Sequence, residues 1–136
     1  MEKFDFKEDV EIICNTVTTF PKHIKEAFDA LQESLPNCEN RNWYGISRPN
    51  EKGVIIYKAA ATELEDGEAE QFGYDSFTIK KGTYISETIT DWMKQPQVIG
   101  ETFMKLLEDP RIDKDGYCLE WYKNDDEVIC MVGIET

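Results

Sequence analysis

The sequence has few residues of the types that build metal centres or thiol active sites. Its single histidine is His23, and its four cysteines, Cys14, Cys38, Cys118 and Cys130, include no Cys-x-x-Cys pair. Zinc sites and cysteine-histidine catalytic sites need such residues at short spacing or in matched sets. We therefore expect no metal, no cofactor, and reduced thiols that serve mainly in packing.

Basic charge and long apolar runs are also scarce. The chain has 15 lysines and arginines against 28 acidic residues, a net charge of −13, and a pI of about 4.4. Phosphate backbones and anionic lipids require a basic footprint, so we expect neither direct nucleic-acid binding nor membrane binding. No basic-apolar leader and no apolar run near 18 residues is found, which predicts a cytoplasmic protein.

The chain does have enough apolar material for one folded core. It has 136 residues, of which 40% are hydrophobic and 12% aromatic, so we expect a single domain over residues 1–136. Strand-like and helix-like segments alternate, which predicts an α+β fold. The predicted strands are 10–18, 43–48, 54–63, 77–90, 117–123 and 127–134, and the strand 77–90 contains a turn or bulge at 80–82. The predicted helices begin at Phe20-Pro21 and at Pro96.

The two halves of the chain repeat the order strand, helix, strand, strand. Phe28-x-x-Leu31 matches Phe103-x-x-Leu106 at an offset of 75 residues, and Val54-Ile55 matches Val128-Ile129 at an offset of 74. We interpret residues 10–63 and 77–134 as tandem duplicated β-α-β-β modules. They are predicted to form an antiparallel sheet with two helices on one face and a ligand cleft between the halves. Residues 1–9 are predicted to be frayed, and 64–76 to be a solvated acidic linker.

One acidic residue, Glu120, lies between bulky side chains in the stretch 116–122. Alternation places Cys118, Glu120 and Tyr122 on one side of the predicted strand. An acid in this position fits either a half-solvated sheet face or a ligand pocket that raises the pKa of its carboxyl group. A duplicated sheet with helices on one face is expected to leave a groove between the halves on the other face. The repeat aligns Glu120 with Ile46, so the carboxylate is predicted on one wall of that groove. The predicted lining of that groove is Glu120, Tyr122, Tyr44, Ile46 and Tyr84, with Tyr57 or Trp92 at the rim.

Several segments together resemble the GyrI-like small-molecule-binding family, the effector-binding domain of many bacterial multidrug-responsive regulators. The resemblance runs from about Val10 to Ile134. Its most specific parts are Phe77-Thr78-Ile79-Lys80-Lys81-Gly82-Thr83-Tyr84, the Glu120-x-Tyr122 after the second helix, and the apolar closing strand 128–134. The order and spacing of these segments carry the resemblance.

The resemblance implies a use for the cleft. In that family it takes up aromatic, often cationic compounds, with a glutamate at its base, here Glu120. No helix-turn-helix precedes the resembling region, so we expect a stand-alone form that is not by itself a DNA-binding regulator. An alternative is a hydrolase that detoxifies cyclopropane-containing alkylating natural products, with Glu120 as base or water-orienting residue.

Other functions are weighed against these two hypotheses. Haem binding is disfavoured, because it would need His23, near the start of a helix, as the iron ligand. A protein-interaction domain with an empty groove, a homodimer and a separate regulatory partner are left open.

Overall fold

An eight-stranded antiparallel sheet forms the framework of the protein. The computed structural model describes residues 1–20 and 22–135. The order of the strands across the sheet is β1-β6-β8-β7-β3-β4-β2-β5. The strands are β1 (Glu2–Phe6), β2 (Val10–Val17), β3 (Trp43–Pro49), β4 (Ile55–Thr62), β5 (Asp75–Ile79), β6 (Gly82–Thr90), β7 (Cys118–Tyr122) and β8 (Glu127–Gly133), and the helices are α1 (Ile24–Ser34), α2 (Glu68–Phe72) and α3 (Gln97–Leu106).

The strand order is symmetric about the central pair of β3 and β7. The first half of the chain contributes β1, β2, α1, β3 and β4, and the second half contributes β5, β6, α3, β7 and β8 in the same order. The first strand of each half is exchanged, because β1 pairs with β6 and β5 pairs with β2. Each half therefore completes the sheet edge of the other.

A row of paired residues across the sheet identifies the face that carries the helices. The row is Asn15, Ala59, Gly45, Glu120, Cys130 and Glu87. At one end the Asn15 amide donates a hydrogen bond to the Ala27 carbonyl of α1, and at the other Lys105 of α3 donates one to Glu87. Since directly opposed residues point to the same side of an antiparallel ladder, both helices cover the side on which Glu120 points. The predicted α+β class is confirmed.

Apolar side chains of the sheet pack against one another on the helix-free face. Ile12, Ile46, Leu119 and Met131 are buried there. The ring of Phe4 on the edge strand β1 lies 5.9 Å from the ring of Trp121 on β7, although two strands separate them in the sheet. This contact requires the sheet to curl towards that face. The prediction of a groove there is wrong, because the curled sheet fills the space with its own apolar side chains.

Two segments that were predicted to be frayed or solvated include regular structure. Residues 1–9 include β1, whose phenylalanines alternate with charged residues and pack on the helix-free core. The acidic run includes α2, where Glu68 is buried. The predicted strand 77–90 is two strands with different neighbours, β5 beside β2 and β6 between β1 and β8.

The buried Glu68 forms a bidentate ion pair with Arg41. The two guanidinium-to-carboxylate distances are 2.9 and 2.8 Å, and Arg41 also donates to the carbonyls of Pro36 and Thr62. Backbone N–H groups of Leu64 and Glu65 donate to Glu68. The pair therefore anchors α2 and the chain around residue 41 to the end of β4.

The helix boundaries differ slightly from the predictions. The first helix begins at Ile24, while the predicted start at Pro21 lies outside the described residues. The helix predicted to begin at Pro96 is α3, which spans Gln97–Leu106. Among the described residues, no helix is long and apolar enough to cross a lipid bilayer.

Candidate ligand-binding cleft

Glu120 lies at the centre of the sheet, on the side that the helices cover. Its exposed fraction is 7%. The Tyr57 hydroxyl donates a 2.8 Å hydrogen bond to Oε1 of Glu120, and the Tyr122 hydroxyl donates to the same oxygen. Oε2 accepts no hydrogen bond from any residue in the described part of the chain. The carboxylate is thus held by two phenols and keeps one oxygen for a further partner.

Gly45 makes the space that this carboxylate and the Tyr57 phenol occupy. A Cβ atom at Gly45 would lie 2.0 Å from the Tyr57 hydroxyl oxygen and 2.5 Å from Glu120 Oε1. Gly45 pairs with Glu120 across the central strands, so the symmetry of the sheet makes these two residues equivalent. The predicted equivalence of Ile46 and Glu120 is wrong by one residue, because the equivalent of Glu120 is Gly45. Ile46 therefore points to the opposite face of the sheet from Glu120.

Burial controls the ionisation of this cluster. Burial raises the pKa of Glu120, and the hydrogen bonds from Tyr122 and Tyr57 partly oppose that rise. Burial also raises the pKa of both phenols, and the nearby Glu120 charge raises it further, so both remain hydrogen-bond donors. The neighbouring Cys118 thiol has its pKa raised to about 11 by burial, which disfavours a reactive thiolate.

A cleft of about 580 Å³ opens beside this cluster, and we call it the aromatic cleft. One wall comes from α1 and residues 41–43 of the first half, and the other from residues 92–93 and 122–125 of the second half. The predicted position of a cleft between the halves is confirmed, although it lies on the helix side. Its lining is Lys25, Phe28, Gln32, Arg41, Asn42, Trp43, Trp92, Met93, Tyr122, Lys123, Asn124 and Asp125.

Tyr122 joins the aromatic cleft to the buried carboxylate. Its ring centre lies 5.6 Å from that of Phe28 and 5.1 Å from that of Trp92, both edge-on. Its hydroxyl bonds to Glu120, while Glu120 itself does not line the cleft. A molecule in the cleft therefore meets the Tyr122 ring first, with the carboxylate behind it.

The structure brings together four of the six predicted site residues. Glu120, Tyr122 and Tyr57 are hydrogen-bonded, and Trp92 packs on Tyr122. Tyr44 and Tyr84 lie elsewhere. The prediction that they share a face with Glu120 is wrong, because both belong to the core of the helix-free face.

Pairing explains where the two misplaced tyrosines lie. Tyr44 pairs with Trp121, the neighbour of Glu120 that points to the opposite side. The Tyr84 hydroxyl lies 2.8 Å from that of Tyr117 and donates to the carbonyl of Lys80. Both phenols therefore stabilise the helix-free side of the sheet.

Sequence reasoning missed several residues of the aromatic cleft. Phe28 was used only in the match between the two repeats, and Trp43 was assigned only to a strand. Their spacing does not distinguish a core residue from one that lines a cleft, because both are half-buried and apolar. The basic residues Lys25, Arg41 and Lys123 gave no signal, since their role depends on the packing of distant segments.

Comparisons with known proteins identify the fold. No protein-family model and no curated protein matches the sequence. Among solved structures, the protein SAV2435 bound to tetraphenylphosphonium has a TM-score of 0.70 at 13% identity, covering 98% of this chain and 93% of that one. An integron cassette protein from the mobile metagenome of Vibrio cholerae has a TM-score of 0.68 at 13% identity, covering 98% and 95%. A hydrolase from Listeria innocua has a TM-score of 0.59 at 7% identity, covering 98% and 90%.

Proposed function

We propose that the protein binds small aromatic molecules in the aromatic cleft, with a preference for cations. The observation that carries this proposal is the buried Glu120, held by Tyr57 and Tyr122 beneath an aromatic wall. A carboxylate at the centre of a sheet costs stability unless it is compensated. A bound cation supplies that compensation.

The chemistry of the cleft favours stacking over a fixed pattern of hydrogen bonds. An aromatic face attracts a cation by about 0.5–2 kcal/mol, and Phe28, Trp43, Trp92 and Tyr122 present such rings. A volume of about 580 Å³ falls within the range of drug-sized pockets. Recognition by stacking and one carboxylate tolerates many ligand shapes, so we expect broad specificity.

Two similarities support the proposal. The sequence resembles the GyrI-like effector-binding family at Glu120 and Tyr122, and the fold is similar to that of SAV2435, whose structure contains tetraphenylphosphonium. Tetraphenylphosphonium is a lipophilic aromatic cation, and it serves as the first probe of this cleft.

Glu120→Gln is expected to weaken tetraphenylphosphonium binding at pH 8 by at least about tenfold, because it removes the charge paired with the cation. The raised pKa of Glu120 predicts a second effect. Affinity of the wild type rises as pH increases through that pKa, since a bound cation favours the ionised carboxyl, whereas the variant shows no such rise. Isothermal titration calorimetry from pH 5 to 8 measures both effects.

Glu101→Gln is the matched control for this experiment. Glu101 is exposed on α3, and its replacement changes the net charge by the same amount. We expect its affinity to equal that of the wild type. Equal affinities of wild type and Glu120→Gln at every pH would refute the role of the carboxylate.

Hydrolysis is a second candidate for the same site. It is favoured by one observation, a carboxyl group of raised pKa within reach of two phenols, which suits a general base. The test is turnover of an electrophilic cyclopropane substrate by wild type and Glu120→Gln. Stoichiometric binding without product in the wild type would eliminate this function and leave binding alone.

A further inference from the structure

Basic residues outnumber acidic ones in the lining of the aromatic cleft, whereas the chain as a whole is acidic. The protein has 28 acidic and 15 basic residues. The lining of the cleft nevertheless contains Lys25, Arg41 and Lys123 against the single acid Asp125. The negative charge of Glu120 lies behind the wall, so a ligand meets basic groups around the opening.

The three basic residues are not equally available to a ligand. Arg41 is buried and its charge is used by Glu68. The ammonium of Lys25 lies 3.0 Å from Asp29, but its side chain is 86% exposed, and such surface pairs are weak. Lys123 is exposed, and its ammonium forms no ion pair within residues 1–20 and 22–135. Lys25 and Lys123 are therefore the basic residues of the lining whose charges are most available to a ligand.

This arrangement separates two electrostatic environments along the cleft. The inner end, at Tyr122, has aromatic rings and a carboxylate behind them. The rim has two exposed lysines, Lys25 on α1 and Lys123 on the turn after β7, and one exposed acid, Asp125, on that same turn. A purely cationic ligand is attracted by the inner end and repelled by the rim, whereas a ligand with an acidic group at its outer end is attracted by both.

We propose that the preferred ligands are aromatic zwitterions, in which a flat cationic ring system enters the cleft and an acidic substituent, such as a carboxylate, lies between Lys25 and Lys123. This inference rests on the proposed function and refines its ligand class. It assigns Lys25 and Lys123 as specificity residues, with Trp92 and Tyr122 as the stacking surface. Attraction at an exposed rim is screened by salt, so the preference depends on ionic strength.

Rhodamine B and its ethyl ester form a matched pair of probes. Both carry the same cationic xanthene ring system, and only rhodamine B carries a free carboxylate at neutral pH. Fluorescence anisotropy at low salt is expected to show rhodamine B binding about threefold more tightly than the ester, the scale of exposed ion pairs. The preference disappears in 1 M NaCl.

The variant Lys25→Gln/Lys123→Gln is expected to abolish the preference by weakening rhodamine B binding and leaving ester binding unchanged or stronger. Lys52→Gln, an exposed lysine in the β3–β4 turn, is the control and retains the wild-type preference. Thermal unfolding of each variant verifies that the fold is intact.

The outcomes distinguish the zwitterion inference from the proposed function. Equal affinity for both dyes, or a preference that survives in the double variant, overturns the zwitterion inference while aromatic binding stands. Binding of tetraphenylphosphonium but of neither dye also overturns it. If tetraphenylphosphonium and both dyes all fail to bind, the proposed function itself is overturned.

Discussion

Replacing Gly45 with alanine is expected to destabilise the protein by about 3 kcal/mol, at the upper end of the cost of overpacking a core. The added methyl group would overlap the Tyr57 hydroxyl at 2.0 Å and Glu120 at 2.5 Å. Neither group has room to retreat, since Tyr57 is 1% exposed and packs edge-on against Phe28. Urea denaturation monitored by circular dichroism measures the loss.

A second-site variant tests the cause of that loss. Tyr57→Phe removes the oxygen nearest the new methyl group, so the double variant Gly45→Ala/Tyr57→Phe is expected to regain part of the stability lost in Gly45→Ala. Gly100→Ala is the matched control, because a Cβ atom at Gly100 meets nothing within 4 Å; alanine favours the helix and is expected to be neutral or stabilising. A Gly45→Ala protein as stable as the wild type would contradict the close contact.

Replacing Arg41 with methionine is expected to cost about 3–5 kcal/mol, the usual effect of removing one partner of a buried ion pair. The side chains of Arg41 and Glu68 are 0% and 7% exposed, so the remaining carboxylate would lose its partner without gaining water. The carbonyls of Pro36 and Thr62 would lose a donor as well. Denaturant unfolding at pH 7 measures the change.

The same ion pair predicts a pH dependence. The Arg41 guanidinium lowers the pKa of Glu68 from 4.5 to about 2. A lowered folded-state pKa contributes stability above pH 4.5, and that contribution is lost as pH falls towards 2. The variant Glu68→Gln should therefore lose stability mainly above pH 4.5 and approach the wild type at low pH.

The exposed pair of Arg111 and Asp109 provides a control for the buried pair. Arg111 donates to Asp109 with similar geometry, but its side chain is 47% exposed. Arg111→Ala is expected to change stability little. Equal losses from Arg111→Ala and Arg41→Met would show that burial is not what makes the Arg41 pair important.

Local patterns in the sequence predicted most of the elements but not their partners. The alternation in β7 depends on neighbours a few residues away, so β7 was predicted close to its observed bounds, and the apolar spacing in α1 predicted a helix there. β1 was missed because its stability comes from pairing with β6, about 80 residues away along the chain. The exchange of edge strands between the halves has no local signal.

The site was predicted only in part, because local alternation was correct but the register between distant strands was not. Alternation correctly placed Glu120 and Tyr122 on one face of β7, as they are both on the helix side. The face of Tyr44 depended on the register between the repeats, and an error of one residue reversed it. The pattern gave no sign that Gly45 matters for the site. Its role is to have no side chain where the Tyr57 hydroxyl and the Glu120 carboxylate lie.

The three tryptophans of the chain allow the most direct test that aromatic molecules bind in the cleft. Trp43 and Trp92 line it, whereas Trp121 packs in the core of the opposite face. On titration of ¹⁵N-labelled protein with tetraphenylphosphonium, the indole N–H signals of Trp43 and Trp92 should shift in a saturable way, while that of Trp121 stays in place. A saturable shift confined to Trp121, or no shift of any indole signal at saturating concentration, would contradict binding in the aromatic cleft.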